Sequence, residues 1–414
     1  MTLFILGGAQ TDFSRNYARE GLEVSDLVGD VVRDTLADAE VEASQIETIH
    51  VGNAFGQLFN NQGQLGGMPA TVEAGLWGVP ASRHEGACAS GGLALLAAGA
   101  EIEAGRYDVA LVLGVEQEKN VPGDQAARIL GAAAWVGHED NDVAFMWPHQ
   151  FSLLAEEYDR RYGLDHQHLA GIAELNYRNA RSNPNAQTRT WNVTEFGADD
   201  VANPVVAGRI RRTDCSQVTD GGAGVVVAGR RFAEAWAARH GKSLDDVAQI
   251  KGWGHRTVGL PYREKVARSA DSPYVMPHVR QTITDAFDRA GVPDVFALDG
   301  IETHDCFTSS EYMAIDHFGI TQPGESWKAV EAGVLEKKGS TPVNPSGGLI
   351  GAGHPVGATG VRMVLDAAKQ VSGTAGDYQV EGARTFGTLN IGGSTTTPVS
   401  FVVGVDAMSG VGRP

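Results

Sequence analysis

One pattern occurs twice along this chain, and it constrains the fold more than any other feature. DLVGDVVRDTLADAEVEASQIETIHVGNAFG (26–56) runs amphipathic helix, acidic turn, strand, then a loop carrying Phe55. HVRQTITDAFDRAGVPDVFALDGIETHDCFT (278–308) repeats that order, with Phe307 at the matching place. Each is followed, some tens of residues on, by a Gly-rich turn opening an apolar helix: GACASGGLALLAAGA and GHPVGATGVRMVLDAA. Any α/β chain repeats helix then strand. A shared loop position and a shared turn go further, and predict one duplicated architecture for the 414 residues.

The rest of the pattern fits α/β. Strands are predicted at 3–6, 48–53, 108–115, 223–229, 297–303 and 397–405, with helices at 23–39, 89–104, 279–290 and 358–371. DVALVLGV is apolar throughout, as a strand buried on both faces must be. Between about 120 and 200 the texture changes to an irregular mixture of Asn, Arg, Trp and His, which reads as an inserted cap with loops. The boundaries drawn are 1–120 plus 200–245 for the first half, 121–199 for the cap and 246–414 for the second half.

Charge excludes some functions. A net charge of −18 disfavours non-specific nucleic-acid binding and attraction to anionic membranes. No run of 18 apolar residues is present, so no membrane span is expected. The opening MTLFILGGAQTDF reads as a strand, not as a signal peptide. Three cysteines form no disulfide framework, and a reducing cytoplasm is expected. Against the acidic background, 176–213 holds six arginines and three acids, either a solvated patch or a site for a phosphate-bearing anion.

Three stretches hold residue types suited to chemistry. In HEGACASGG, Cys88 sits among the smallest residues, at the start of an apolar helix. Backbone N–H groups and the positive helix end would stabilise a thiolate there and serve an oxyanion. The alternative is an inert packing cysteine. In GGLIGAGHPVGATG, His354 sits on a thin glycine loop, with a pKa suited to proton transfer. In ETHDCFT, His304 and Cys306 are two apart and share a face if extended. Two thiols and two imidazoles suit acid/base chemistry. A zinc site is the weaker reading, since no CxxC or HxxxH spacing supports it.

GACASGG, HDCF and GHPVGATG in this order, with GVEQ after a strand and NIGGS near the end, resemble the thiolase family. Other thiolases carry an Asn-Glu-Ala-Phe type loop and a C-terminal Cys-x-Gly. HDCF, and Asn390 in the place of that cysteine, resemble instead the sterol-carrier-protein-type branch. The resemblance implies a thiolase-like duplicated α-β-α-β-α layered sandwich with an inserted cap (loop) domain, paired as a homodimer or possibly a tetramer. It implies cleavage of 3-ketoacyl-CoA by CoA, or the reverse Claisen condensation, with acyl-CoA as substrate and neither metal nor permanently bound cofactor. Cys88 would be the nucleophile, His354 its base and Cys306 the acid/base on the acetyl-CoA carbon. One oxyanion would rest on the N–H groups of Cys88 and Gly392, the other on His304 with His354. DCSQVTDGGAG resembles the family's pantetheine channel, so Ser216, Arg211, Arg212 and His149 are the candidate CoA contacts. A structural or surface role is the plainer expectation for His149, as for His278 and His317, and packing for Cys215. His84 could point at the site or away, and Phe151–Tyr158, with Trp147 and Tyr162, could wall the channel or fill the cap. Rival readings are a thiolase-like acyl-CoA or lipid carrier, a CoA-ester retro-aldolase without an acyl-cysteine, and a decarboxylating ketosynthase.

Overall fold

The structure, a computed structural model, describes residues 3–406. Its strands are β1 (Leu3–Gln10), β2 (Thr48–Gly52), β3 (Ala81–His84), β4 (Val109–Glu116), β5 (Val205–Ala207), β6 (Ile210–Arg211), β7 (Gly221–Ala228), β8 (Gln249–His255), β9 (Gly300–Thr303), β10 (Thr385–Gly392) and β11 (Thr397–Gly404). Nine of them form one sheet in the order β3-β2-β4-β7-β1-β8-β11-β10-β9, and β5 and β6 make a separate hairpin.

The sheet shows the repeat directly. From β2 inward, β2 runs parallel to β4, β4 antiparallel to β7, and β7 antiparallel to β1. From β9 inward, β9 runs parallel to β10, β10 antiparallel to β11, and β11 antiparallel to β8. The halves meet where β1 and β8 pair through Leu3–Ile250 and Phe4–Gln249. Even β3, which adds to β2 in parallel, has a trace of a counterpart in the parallel bridge of Ile301 with Val343.

Alternation along the strands divides the interior into layers. Leu111, Leu113 and Val115 of β4 pack with Leu27, Val31 and Trp236 of the outer helices Val24–Ala39 and Arg230–Arg239. Ala110 and Val112 face the other way and pack with helices Ser90–Glu103 and Thr359–Val371, as do Phe386, Val399 and Phe401 of the second half. Leu389, Ile391 and Val402 face outward again, onto helices Pro277–Ala290 and Thr308–Phe318. The layers are therefore helix, sheet, helix, sheet, helix.

The two central helices touch at their N-terminal ends, and glycine permits it. A Cβ on Gly360 would stand 2.3 Å from the Gly92 nitrogen, and one on Gly91 would stand 2.8 Å from the Val361 nitrogen. This contact brings the turns before the two helices, GACASGG and GHPVGATG, to one place.

Residues 121–199, expected as a cap, are more regular than their composition predicts. Met146–Tyr162 and His166–Ala180 are long helices. Phe151, Leu154, Ala155 and Tyr158 are buried at helical spacing, and so are Leu169, Ile172 and Ala173. Polar residues between them obscure the period in the sequence. The expected strand at 297–303 shortens to β9, because Val295–Ala297 form a 3-10 turn. β10 was missed because Gly387 and Asn390 break the apolar run of TFGTLNIG.

Candidate active site

Cys88 precedes the Ser90–Glu103 helix, held by a turn in which Ala87 adopts φ 51°. His354 follows Gly353 (φ 112°), a conformation that excludes a side chain. The Nε2 of His354 lies 3.3 Å from the Cys88 sulfur, although 266 residues separate them. Cys306 is buried and lines the same cavity, of about 330 Å³, as Cys88 and His354. His304 stands edge-on to His354 at 5.2 Å between ring centroids. The four residues read from sequence thus converge.

The hydrogen bonds fix the proton positions. Thr359 Oγ1 donates to the Pro355 carbonyl at 3.0 Å, so its contact of 2.7 Å with His354 Nδ1 is accepted from the ring. His354 therefore carries its proton on Nδ1, and Nε2 offers a lone pair to the thiol. Asn390 Nδ2 donates to the Cys88 carbonyl at 2.9 Å, which sets the amide's orientation and turns the same NH₂ to His304 Nδ1 at 3.3 Å. His304 then holds its proton on Nε2 and is a donor there. Ser310 Oγ lies 3.8 Å from the Cys306 sulfur and donates to the carbonyls of His304 and Phe307.

Both members of the central pair are uncharged at rest. Burial pushes the Cys88 thiol up to about 12, and the carboxyls of Glu118 and Glu116 add to the shift. The N–H groups of Gly393 and Cys88 oppose it without prevailing. The thiolate expected from the helix start is thus outweighed by desolvation. Burial pulls His354 down to about 3, assisted by the Arg362 guanidinium, and holds His304 well below its usual range. Burial, then the neighbouring Cys88, raises the Cys306 thiol well above normal.

One expected donor moves by a residue. The N–H beside the Cys88 sulfur, other than its own, belongs to Gly393, and Gly393 rather than Gly392 lines the cavity with Cys88. Gly392 serves close packing, since a Cβ there would stand 2.1 Å from the Gly86 carbonyl. Of the candidate CoA contacts, Ser216 and Arg212 line the cavity and Arg211 and His149 do not. Arg211 is held by Asp200 at 2.9 Å, and His149 by Asp140 at 3.1 Å. The arginine-rich stretch is largely neutralised, with Arg178, Arg189 and Arg209 also paired to acids. Arg212 pairs with no carboxylate among the described residues, and its guanidinium bonds the Ala202 carbonyl.

The remaining candidates fall to either side. His84 lies on the edge strand β3 and stacks on His50 of β2. His317 is buried on Asp316. His278 donates to the Thr395 carbonyl at 2.7 Å. Cys215 lines the cavity, with its sulfur on the Arg211 carbonyl. Trp147 and Phe151 wall the cavity, Phe151 stacking on Phe307 at 4.7 Å, whereas Tyr158 is cap core bonded to Asp316.

Sequence reasoning missed the acids behind the site. Glu116, wholly buried, accepts the N–H groups of Ala54, Phe55 and Gly357 at 2.9, 3.0 and 3.1 Å. Glu118 accepts the Val356 N–H at 3.0 Å and lines the cavity. Burial pushes Glu116 up to about 7 and Glu118 well up. Both lie in GVEQEKN, and two acids directly after an all-apolar strand were the available signal. As for metals, donor atoms of Cys88, His304 and His354 lie within 4.8 Å of one another, so the three could hold a thiophilic cation. One imidazole nitrogen in that group, His304 Nδ1, is already taken by Asn390.

Residues 3–231 match the family model for the thiolase N-terminal domain, and residues 263–405 the one described as thiolase C-terminal domain-like. An acetyl-CoA acetyltransferase of Methanothermobacter thermautotrophicus is 31% identical over 394 residues, covering 95% of this chain and 97% of its own. Human sterol carrier protein 2 is 26% identical, covering 94% of this chain and 70% of its own. Among solved structures, an Ltp2-ChsH2(DUF35) aldolase superposes with TM-score 0.74 at 18% identity, covering 98% of both chains. The Ascaris suum Acat5 thiolase in complex with coenzyme A gives 0.68 at 15%, covering 98% of this chain and all of its own.

Proposed function

This chain belongs to the thiolase family, and on that premise we propose that it is an acyl-CoA C-acyltransferase working through an acyl-cysteine on Cys88. The observation that carries the reading is the Cys88 sulfur 3.3 Å from a lone pair of His354 Nε2. As the sulfur attacks the keto carbon of a 3-ketoacyl-CoA, its proton passes to Nε2. A neutral thiol beside a neutral imidazole ionises only as the new C–S bond forms, so the thiolate is made where it is used. The oxyanion at that carbon faces the N–H groups of Cys88 and Gly393.

Breaking the Cα–Cβ bond leaves the acyl group on Cys88 and expels an acetyl-CoA enolate. Its oxygen would accept a hydrogen bond from the Nε2–H of His304, and its carbon would take the proton of Cys306. A CoA thiol then displaces the acyl group from Cys88 and returns a proton to Cys306, while His354 returns its own to Cys88. Arg212 and Ser216 suit the CoA end of the cavity. Phe55 and Leu130 suit the acyl end, since Cys88 packs in their apolar cluster.

The test is product analysis after mixing a panel of 3-ketoacyl-CoA esters with CoA. Acyl-CoA and acetyl-CoA in equal amounts, dependent on CoA, are expected. With 3-hydroxyacyl-CoA esters run in parallel, an aldehyde or ketone released without CoA would assign retro-aldol cleavage, and both kinds of ester left intact would assign a carrier.

A further inference from the structure

The turn that presents Gly393 is strained. Gly393 (φ 63°) and Thr395 (φ 65°) are both left-handed, and for a β-branched residue that conformation is a true outlier. Strain of this kind persists only where the surroundings impose it. Here the surroundings are two basic side chains from the second half. Lys265, on the helix Tyr262–Arg268, reaches the turn with its Nζ. It stands 2.6 Å from the Ser394 carbonyl, 2.7 Å from Ser394 Oγ and 2.7 Å from Thr396 Oγ1. All three ammonium protons are thereby placed on one turn. His278 adds its ring N–H to the Thr395 carbonyl at 2.7 Å.

Lys265 is only 6% exposed, and an amine so buried needs such a set of acceptors. Burial pulls Lys265 down to about 7, with Glu139 opposing, and pulls His278 down to about 4, so that the ring is neutral at pH 7. Neither residue touches the reacting sulfur. The four-residue turn connects them to it, because its first residue supplies the Gly393 N–H beside Cys88.

We propose that Lys265 is a positioning residue for acyl transfer, its ammonium holding the Gly393–Thr396 turn in the left-handed form that aims the Gly393 N–H at the oxyanion on Cys88. The inference rests on the acyl-cysteine reading. Losing one oxyanion donor costs up to about 10²–10³ in turnover, and a misaimed donor costs less. In Lys265→Met, kcat for CoA-dependent cleavage is therefore expected to fall about 10- to 100-fold with KM changed less than about twofold.

A merely structural lysine is distinguished by rescue. Thr395→Gly, which adopts the left-handed conformation without strain, should restore several-fold of the lost kcat when added to Lys265→Met. Should Lys265→Met fail to fold, Thr396→Val removes one of the three acceptors and should lower kcat about threefold. An unchanged kcat in either single variant, or a loss that Thr395→Gly does not relieve, overturns the inference. Wild-type protein that cleaves without acylating Cys88 overturns the acyl-cysteine reading instead. Acylation of wild type with a fully active Lys265→Met overturns the inference alone.

Discussion

The two halves of the sheet are built alike and carry different chemistry. In each, a loop after the outer parallel strand brings a phenylalanine, Phe55 or Phe307, to the cavity wall. In each, a glycine turn opens a central helix. The first half puts a thiol on its helix turn and an amide, Asn53, on its loop. The second puts an imidazole on its turn and His304 with Cys306 on its loop. Asn53 spends its side chain on the Val115 carbonyl and Glu116, at 2.9 and 2.8 Å. The residue at its matching place, Asp305, also braces backbone, and it is the flanking His304 and Cys306 that reach the site. Duplication thus supplies two converging helix starts at a shared axis, and divergence supplies an acid/base partner for a nucleophile. Neither half holds a complete reactive pair.

The halves also brace their loops differently. In the first, a strand acid, Glu116, gathers loop amides. In the second, a loop acid, Asp305, gathers the amides of Leu349 and Ile350, at 2.6 and 3.1 Å, from the helix Gly348–Ala352.

Substitutions divide the labour between halves. The largest effect is expected from Cys88→Ala, which should lower cleavage by about 10⁴-fold or more, because it removes the covalent route. Cys306→Ala should lower carbon–carbon cleavage by about 10²–10⁴-fold and acylation of Cys88 by a simple acyl-CoA much less, because a CoA thiolate can leave without its proton more readily than a carbanion. If both steps fell together, the assignment of the first step to the Cys88–His354 pair and the second to the second-half loop would fail. Thr359→Val frees the imidazole to take the wrong tautomer and should cost about 10-fold in kcat, read from steady-state rates.

Glu116→Gln should cost about 1–3 kcal/mol in urea unfolding, since a buried network loses one acceptor and gains two donors. The last effect is one of pH. Burial brings Lys265 down to about 7 in the folded chain, whereas an unfolded lysine holds its proton to about 10.4. Between those values the unfolded state binds more protons, so stability rises with pH. Wild type should therefore gain stability relative to Lys265→Met from pH 7 to 10, by at most about 1.4 kcal/mol per pH unit. A flat difference would show that Lys265 stays charged on its turn.

Much of this was legible in the sequence, for reasons that differ by region. The repeat was visible because helix period and strand run alternate identically at 26–56 and 278–308. Cys88 and His354 were visible because each sits in a glycine-rich turn before an apolar helix, and His304 with Cys306 because a thiol and an imidazole share one face of ETHDCFT. The helices Met146–Tyr162 and His166–Ala180 were not, because polar residues share their buried stripe, Glu157 with Arg161 on the first and His168, paired to Glu331, on the second. Gly393 and Lys265 were not, because backbone direction and a buried amine's partners depend on residues more than 100 positions away. Arg211 and His149 misled for another reason: a count of charges does not show which are paired, although Asp200 and Asp140 lie only 11 and 9 positions away.

The most direct test is the intact mass of the protein quenched within its first turnover on a 3-ketoacyl-CoA, followed by peptide mapping. The account predicts one added acyl group, carried by Cys88 and discharged by CoA. Turnover with Cys88 unmodified at every time point, or with the acyl group on Cys306, would contradict it.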